Sequence, residues 1–163
     1  MQLYRKQTNG LLAAVVYDFN QDELFTATRG GGAFLNQRPI HVSNVQEPSQ
    51  AILATGFPLN FDLSGHSLAR FAQRIQAFKK VRMLGSAALS LAYVACGRAD
   101  AYIEVSIMIW DVAAGLLLVK EAGGFASGQE QQQKRHSCFS GCKCDLESYE
   151  RHPWHLLLSQ DKE

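Results

Sequence analysis

The chain has 163 residues, which is enough for one domain with a hydrophobic core. Hydrophobic residues make up 47% of it and charged residues 19%, a composition typical of folded domains rather than disordered ones. The net charge of +1, with no basic run interleaved with aromatics, predicts no nucleic-acid partner. No segment approaches the roughly 18 apolar residues of a membrane helix. We therefore predict a single cytoplasmic domain over residues 1–163, with no membrane contact.

The first third of the sequence predicts β-strands. Leu11–Phe19 is apolar and β-branched, as buried strands are, and the alternating segment Glu23–Thr28 is predicted to return beside it as a hairpin. Within Arg29–Asn36, three consecutive glycines favour a tight turn over a phosphate-cradling loop, because no Lys-Ser/Thr pair follows. Short strands are predicted at Arg38–Val42 and Gln50–Thr55.

The hydrophobic period then changes to that of helices. From Leu68 to Phe78 apolar residues recur at spacings of three and four, which predicts an amphipathic helix capped by Asp62 or Ser64. A second helix is predicted over 86–96 after a strand at Val81–Leu84.

A third helix follows in the same way. It is predicted over 110–122, after a strand at Ala101–Val105. Both this helix and the one before it therefore open directly behind a strand.

The junction Gly85-Ser86 could bind an anion. A helix that starts after Gly-Ser leaves backbone N–H groups unpaired, and the helix dipole adds positive potential there. The alternative is that Ser86 serves only as an N-cap, the common role of serine at this position, and spacing alone favours it.

Two carboxylates, Glu104 and Asp111, stand seven positions apart in apolar surroundings. A carboxylate beside a core is costly unless it is paired, hydrogen-bonded or metal-bound. Spacing alone favours Asp111 as an N-cap, with Mg²⁺ coordination as the alternative or an added role. Glu104 could accept hydrogen bonds from a polyol, or could lie on an edge strand and face water.

These motifs together resemble a known family. WDVAAG at 110–115, followed by EAGG at 121–124 and preceded by GSAA at 85–88, resembles the signature of the inositol monophosphatase family. The resemblance extends over residues 11–128. It implies a layered α/β sandwich of the sugar-phosphatase type, of which this chain would be the C-terminal portion. The implied activity is Mg²⁺-dependent hydrolysis of a small phosphorylated polyol or sugar, in a possible homodimer.

The resemblance also implies roles for individual residues. Gly85, Ser86 and Ala87 would line the substrate pocket, and Glu104 would bind polyol hydroxyls. Asp111 would hold a metal ion and touch the substrate hydroxyl beside the phosphate. In the family, two or three metal ions activate a water for in-line attack.

One departure from the family pattern is the lack of an Asp-Pro dipeptide. In the family an Asp-Pro-Ile/Leu-Asp-Gly-Thr motif and an N-terminal Glu hold the principal metals, and the groups that orient the water accompany them. We therefore expect a truncated and inactive phosphatase, poorly soluble when expressed alone. The alternatives are an inactive remnant or interaction module and, among enzymes, a bisphosphate nucleotidase, a fructose-bisphosphatase-like enzyme or a histidinol-phosphate phosphatase.

The end of the sequence is less regular. Gln129–Arg135 is polar and is predicted to be a mobile loop, within a divergent tail over 129–163. A metal site built from cysteines and a histidine is conceivable there, but the spacing is not that of a zinc finger. An altered tail is the favoured interpretation. The residues concerned are His136, Cys138, Cys142 and Cys144.

Overall fold

The computed structural model describes residues 2–5, 10–57, 62–131 and 135–141. The first sheet is antiparallel, with its five strands side by side in chain order. These strands are β1 (Gln2–Arg5), β2 (Gly10–Asp18), β3 (Glu23–Thr28), β4 (Gly32–Leu35) and β5 (Arg38–Pro39). The predicted hairpin is confirmed, because β2 and β3 pair from Ala13–Thr28 to Asp18–Glu23.

One prediction for this sheet is confirmed and one was wrong in extent. The tight turn predicted from the three glycines lies at Gly30–Gly31, after which the chain forms β4 and pairs back onto β3. Gly30 and Gly32 both adopt positive φ, a conformation that glycine takes without steric cost. The strand predicted at 38–42 covers two residues, since only Arg38 and Pro39 pair with β4.

The second sheet is mixed. Its strands are β6 (Ile52–Thr55), β7 (Lys80–Arg82), β8 (Ala101–Met108), β9 (Phe125–Gln131) and β10 (Arg135–Gly141). They lie in the order β7-β6-β8-β10-β9, with β6 parallel to β7 and to β8. A 3₁₀ turn at Pro48–Gln50 replaces the predicted start of β6.

The mobile loop predicted over 129–135 is wrong for the residues that the structure describes. Gln129–Gln131 belongs to β9 and Arg135 opens β10, while 132–134 lie outside the described residues. A strand at the edge of a sheet is held by backbone hydrogen bonds, so its side chains can be as polar as these glutamines. The proposal of a divergent tail over 129–163 stays a prediction.

Three helices connect the strands. They are α1 (Gly65–Gln76), α2 (Ala87–Ala95) and α3 (Ile109–Glu121). Ser64 is confirmed as the cap of α1, because its side chain accepts from the backbone N–H of Ser67. Asp62 supports this cap by accepting hydrogen bonds from the Ser64 backbone N–H and from both serine hydroxyls.

Helices α2 and α3 lie between the two sheets. One hydrophobic core joins Phe25 of the first sheet, Leu91 and Leu118 of these helices and Tyr102 of β8. Alternate residues of the second sheet, including Leu53 and Ile103, face a separate cluster with Ile75 of α1 and Phe78. The predicted layered α/β sandwich is therefore confirmed.

A close approach between α2 and α3 depends on Gly115. A methyl group at this position would lie 2.3 Å from Cβ of Leu91, far inside van der Waals contact. The absence of a side chain therefore lets the two helices pack tightly. This packing also fixes where their N-terminal ends lie relative to each other.

The outer face of the first sheet carries exposed apolar side chains. Tyr17 of β2 and Leu24 of β3 lie opposite each other and are 53% and 40% exposed. None of the helices in the described ranges has the length and apolarity that a bilayer span requires.

Candidate active site

The five residues predicted for the site border one cleft of about 490 Å³, a size typical of small-molecule sites. The cleft lies where β6 ends, where α2 and α3 begin and beside the second half of β8. Its lining residues are Thr55, Gly56, Phe57, Gly85, Ser86, Ala87, Ala88, Ser90, Glu104, Ile107, Trp110 and Asp111. The fold therefore brings together predicted site residues that are up to 26 positions apart in the sequence, from Gly85 to Asp111.

The start of helix α2 at the cleft is compatible with Ser86 both as an N-cap and as part of an anion-binding turn. Gly85 has a φ of +71°, which glycine accommodates, and it turns the chain into the helix. Ser86 caps the helix by accepting from the Leu89 backbone N–H at 3.3 Å, so the N-cap is confirmed. The hydroxyl of Ser90 donates to the Ser86 carbonyl at 2.8 Å and braces this turn. The positive end of the α2 dipole thus lies against the cleft.

Asp111 is not the N-cap of α3. The strand β8 runs on to Met108, which takes the cap position without a side-chain hydrogen bond, and the helix begins at Ile109. Asp111 therefore lies in the first turn, where a carboxylate is favourable to the helix dipole. Its side chain is exposed, and it has no hydrogen bond or ion pair with another residue in the described part of the chain. Asp111 is free to bind a ligand.

Glu104 faces the cleft from a central strand, so the alternative of an edge strand is wrong. Its Oε2 accepts a hydrogen bond from the hydroxyl of Tyr102 at 2.8 Å. Burial raises the pKa of the Glu104 carboxyl, the Tyr102 hydrogen bond opposes this rise, and the charge of Asp111 adds to it. Glu104 is therefore a half-buried carboxylate held by one phenol donor, with no cation of the described residues paired to it.

Carboxylate oxygens at the cleft are the type of ligand that a hard cation such as Mg²⁺ prefers. Mg²⁺ is commonly held by one or two carboxylates together with phosphate oxygens and water, and Asp111 offers such an oxygen at the cleft. Among residues in the described ranges, no three Asp, Glu, His or Cys side chains come together to hold a metal ion. Of the tail residues considered for a metal site, Cys142 and Cys144 lie outside those ranges.

The glycine-rich turn already holds an anion from this chain. The two carboxylate oxygens of Glu121, at the end of α3, accept from the backbone N–H groups of Gly30 and Gly32 at 2.9 and 3.0 Å. These donors would be needed by a phosphate in the cradle considered from the sequence. The turn interpretation is confirmed, and Glu121 ties α3 to the first sheet.

The sequence model of the inositol monophosphatase family matches residues 6–152. The chain belongs to the inositol monophosphatase family. It is 50% identical over 113 residues to Nus factor SuhB of Xylella fastidiosa, an alignment that covers 69% of this chain and 41% of the relative. It is 43% identical over 124 residues to inositol-1-monophosphatase of Mesorhizobium japonicum, covering 76% and 47%.

Solved structures of the inositol monophosphatase family share the fold. The structure of inositol monophosphatase from Anabaena sp. PCC 7120 matches with a TM-score of 0.78 at 33% identity, covering 93% of this chain and 60% of that one. The chain spans about half the length of the curated relatives that it matches. The resemblance to the inositol monophosphatase family, based on WDVAAG, EAGG and GSAA, is therefore confirmed.

Several lining residues of this family member were missed by sequence reasoning. Phe57 and Trp110 border the cleft and are 47% and 54% exposed, but a single exposed aromatic carries no sequence signal of its own. Tyr102 does not line the cleft, but its contact with Glu104 could have been found, because residues two apart on a strand share a face. Gly56 could not, since its contact with Glu104 depends on the pairing of β6 with β8.

Proposed function

We propose that this chain forms the substrate-binding side of a Mg²⁺-dependent phosphomonoesterase site that acts on a small phosphorylated polyol or sugar. The observation that carries the proposal is the convergence of the α2 N-terminus, Glu104 and Asp111 on one cleft. A positive helix end suits a phosphate, and a carboxylate suits hydroxyl donors. Membership of the inositol monophosphatase family, with a relative named inositol-1-monophosphatase, supports the reaction class.

Each residue has a distinct role in this proposal. The turn Gly85-Ser86-Ala87 lines the pocket for the phosphate end of the substrate, and Glu104 accepts hydrogen bonds from hydroxyls at the other end. Asp111 would be one ligand of Mg²⁺, which when bound supplies positive charge against the developing negative charge of the transferred phosphoryl group. In this proposal Asp111 also contacts the hydroxyl beside the phosphate.

The direct test is calorimetric titration of the chain with inositol monophosphate, with and without Mg²⁺. We expect Mg²⁺-dependent binding that Asp111→Asn weakens at least tenfold, because an amide is a far poorer ligand for Mg²⁺ than a carboxylate. The control is Glu47→Gln, which changes an exposed carboxylate that does not line the cleft and should bind as the unchanged chain does. Equal binding by all three chains, or none by the unchanged chain, would contradict the proposal.

Phosphate release separates an enzyme from a binding remnant. The chain and Mg²⁺ are incubated with inositol monophosphate, an adenosine bisphosphate or histidinol phosphate, and free phosphate is measured. Release above the Asp111→Asn background would exclude the inactive remnant, and the preferred ester would identify the substrate. Binding without release would favour a chain that recognises the ester and leaves hydrolysis to groups that it lacks.

A second candidate is a Nus-factor role, which the name of the relative from Xylella fastidiosa suggests. The identity of 50% to that relative is the observation in its favour. The substitution equivalent to Asp111→Asn, made in the full-length relative and expressed in cells that depend on it, distinguishes the two candidates. If the cleft serves only hydrolysis, this substitution abolishes phosphate release and leaves the Nus-factor role intact.

A further inference from the structure

Tyr102 has a polar contact that a core residue does not need for packing. Its side chain is fully buried in the main hydrophobic core, with 0% of its surface exposed. Its hydroxyl nevertheless donates to Oε2 of Glu104, which lines the cleft, at 2.8 Å. Residues two apart on a strand share a face, so the rigid ring and the carboxylate leave β8 side by side.

Gly56, which directly follows β6, leaves room for the Glu104 carboxylate. A Cβ at Gly56 would lie 2.7 Å from Oε2 of Glu104 and 3.1 Å from its Cδ. Any larger residue would therefore push the carboxylate out of its present position. The hydroxyl of Thr55 donates to the Ile103 carbonyl at 2.6 Å, in a buried position, which fixes the two strands against each other at this point.

We propose that Tyr102 is a positioning residue, and that with Gly56 it holds the Glu104 carboxylate in the one orientation that recognises a substrate hydroxyl. The proposal rests on the proposed function of the cleft. The phenol occupies Oε2, which leaves Oε1 and the remaining lone pairs to accept from a hydroxyl on the carbon skeleton of the ester. A preorganised acceptor loses less conformational entropy on binding than a freely rotating one.

The inference concerns which esters are selected. A phosphate ester with a free hydroxyl on its carbon skeleton, away from the phosphate, can donate to Glu104, whereas an alkyl phosphate without that hydroxyl cannot. The positioning of Glu104 therefore affects the first class of ligand and not the second. A purely structural role of Tyr102 would affect both classes equally.

The test compares Kd values for inositol monophosphate and for propyl phosphate, in Mg²⁺, by calorimetry. Tyr102→Phe keeps the buried ring and removes only the hydroxyl. We expect it to weaken inositol monophosphate binding about five- to tenfold and to leave propyl phosphate unchanged. In a Glu104→Gln background the same substitution should add nothing further. The matched control is Tyr17→Phe, which removes an exposed hydroxyl that donates to Asp22.

Gly56→Ala gives an independent arm. We expect the same selective loss for inositol monophosphate, because the added methyl displaces the carboxylate. Gly65→Ala is its control, since a Cβ at Gly65 meets nothing within 4 Å. Equal losses on both ligands, or no loss with Tyr102→Phe, would overturn the proposal.

Crystal structures of the ligand-free chain and of Tyr102→Phe separate this proposal from the proposed function. If the unchanged chain binds no ester, the proposed function fails, but the position of Glu104 is still measured. Positioning predicts that its carboxylate moves by about 1 Å or spreads over several rotamers in the variant. A carboxylate that stays in place without the phenol would overturn it.

Discussion

Carboxylate side chains lie near both ends of helix α2, but those near its C-terminal end have more hydrogen-bond partners than those near its N-terminal end. At the C-terminal end, Tyr93 donates to Asp18 at 3.3 Å, and Arg98 bonds both carboxylate oxygens of Glu23 at 2.5 and 2.6 Å. The guanidinium of Arg98 also lies 5.2 Å from the centre of the Tyr93 ring. At the N-terminal end, Glu104 has one phenol donor and Asp111 has no partner among the described residues.

The difference indicates which carboxylates the fold uses and which it leaves available. The hydrogen bond from Arg98 holds the pKa of Glu23 below its ordinary value, whereas burial raises the pKa of Glu104. Compared with the unfolded chain, the folded chain therefore favours the anionic form of Glu23 and disfavours the anionic form of Glu104. A carboxylate that is kept at a cost to stability beside a cleft is a candidate for binding rather than for folding.

The largest expected effect comes from the contact that places both ends of α2. We predict that Gly115→Ala lowers the free energy of unfolding by about 3 kcal/mol, because its methyl would overlap the Leu91 side chain. Urea unfolding measures the loss, with Gly65→Ala as a nearly neutral control. Leu91→Ala keeps Cβ but removes the Cγ and Cδ1 that the new methyl would meet at 3.0 and 2.6 Å, so it should relieve part of the overlap. The double variant should therefore cost less than the two separate losses combined, and simple additivity would count against the contact.

A smaller effect is expected at the paired end. We predict that Arg98→Ala lowers the free energy of unfolding by about 1 kcal/mol near neutral pH, since solvent screens a guanidinium that is 41% exposed. The pKa of Glu23 is lowered in the folded state, so this loss is full above the unfolded pKa of Glu23. It should fade as the pH falls through the lower folded pKa. Urea unfolding of both chains across acid pH checks this, and a loss that persists unchanged in acid would argue against the ion pair.

The smallest effect is expected at the cleft, and it has the opposite sign. We predict that Glu104→Gln raises the free energy of unfolding by about 0.5 kcal/mol at neutral pH, because it removes a half-buried charge. The pKa of Glu104 is raised in the folded state, so the unchanged chain is penalised only once the pH rises above the unfolded pKa of Glu104. The stabilisation should therefore disappear in acid. A destabilised variant at neutral pH would show that Glu104 is needed for folding.

How much the sequence could predict differs between local and distant features. The hairpin, the three helices and the Ser64 and Ser86 caps follow from residue period and capping chemistry, which act within a few positions. The Asp111 cap was predicted wrongly, because the end of β8 is set by its pairing with β10 and not by local preference. The strand at 129–131 was missed for the same reason.

The candidate site likewise contains residues that local motifs identify and residues that only distant contacts bring together. Ser86, Glu104 and Asp111 could be selected from motifs, but Gly56 and the Glu121 clamp on the glycine turn depend on contacts between residues 48 and about 90 positions apart. Such contacts exist only once the two sheets have assembled around α2 and α3. Tyr102 lies between these cases, since its spacing from Glu104 is local but its burial is not.

The central claim is that carboxylates at the cleft serve binding and carboxylates at the other end of α2 serve folding. The most direct measurement compares Asp111→Asn with Asp18→Asn, the same chemical change at the two ends, for both unfolding free energy and Mg²⁺-dependent binding of inositol monophosphate. We predict that Asp111→Asn loses binding and only about 0.5 kcal/mol of stability, from the α3 dipole, while Asp18→Asn loses more stability and, when folded, keeps binding. The reverse pattern, or equal losses in both properties for the two variants, would contradict the account.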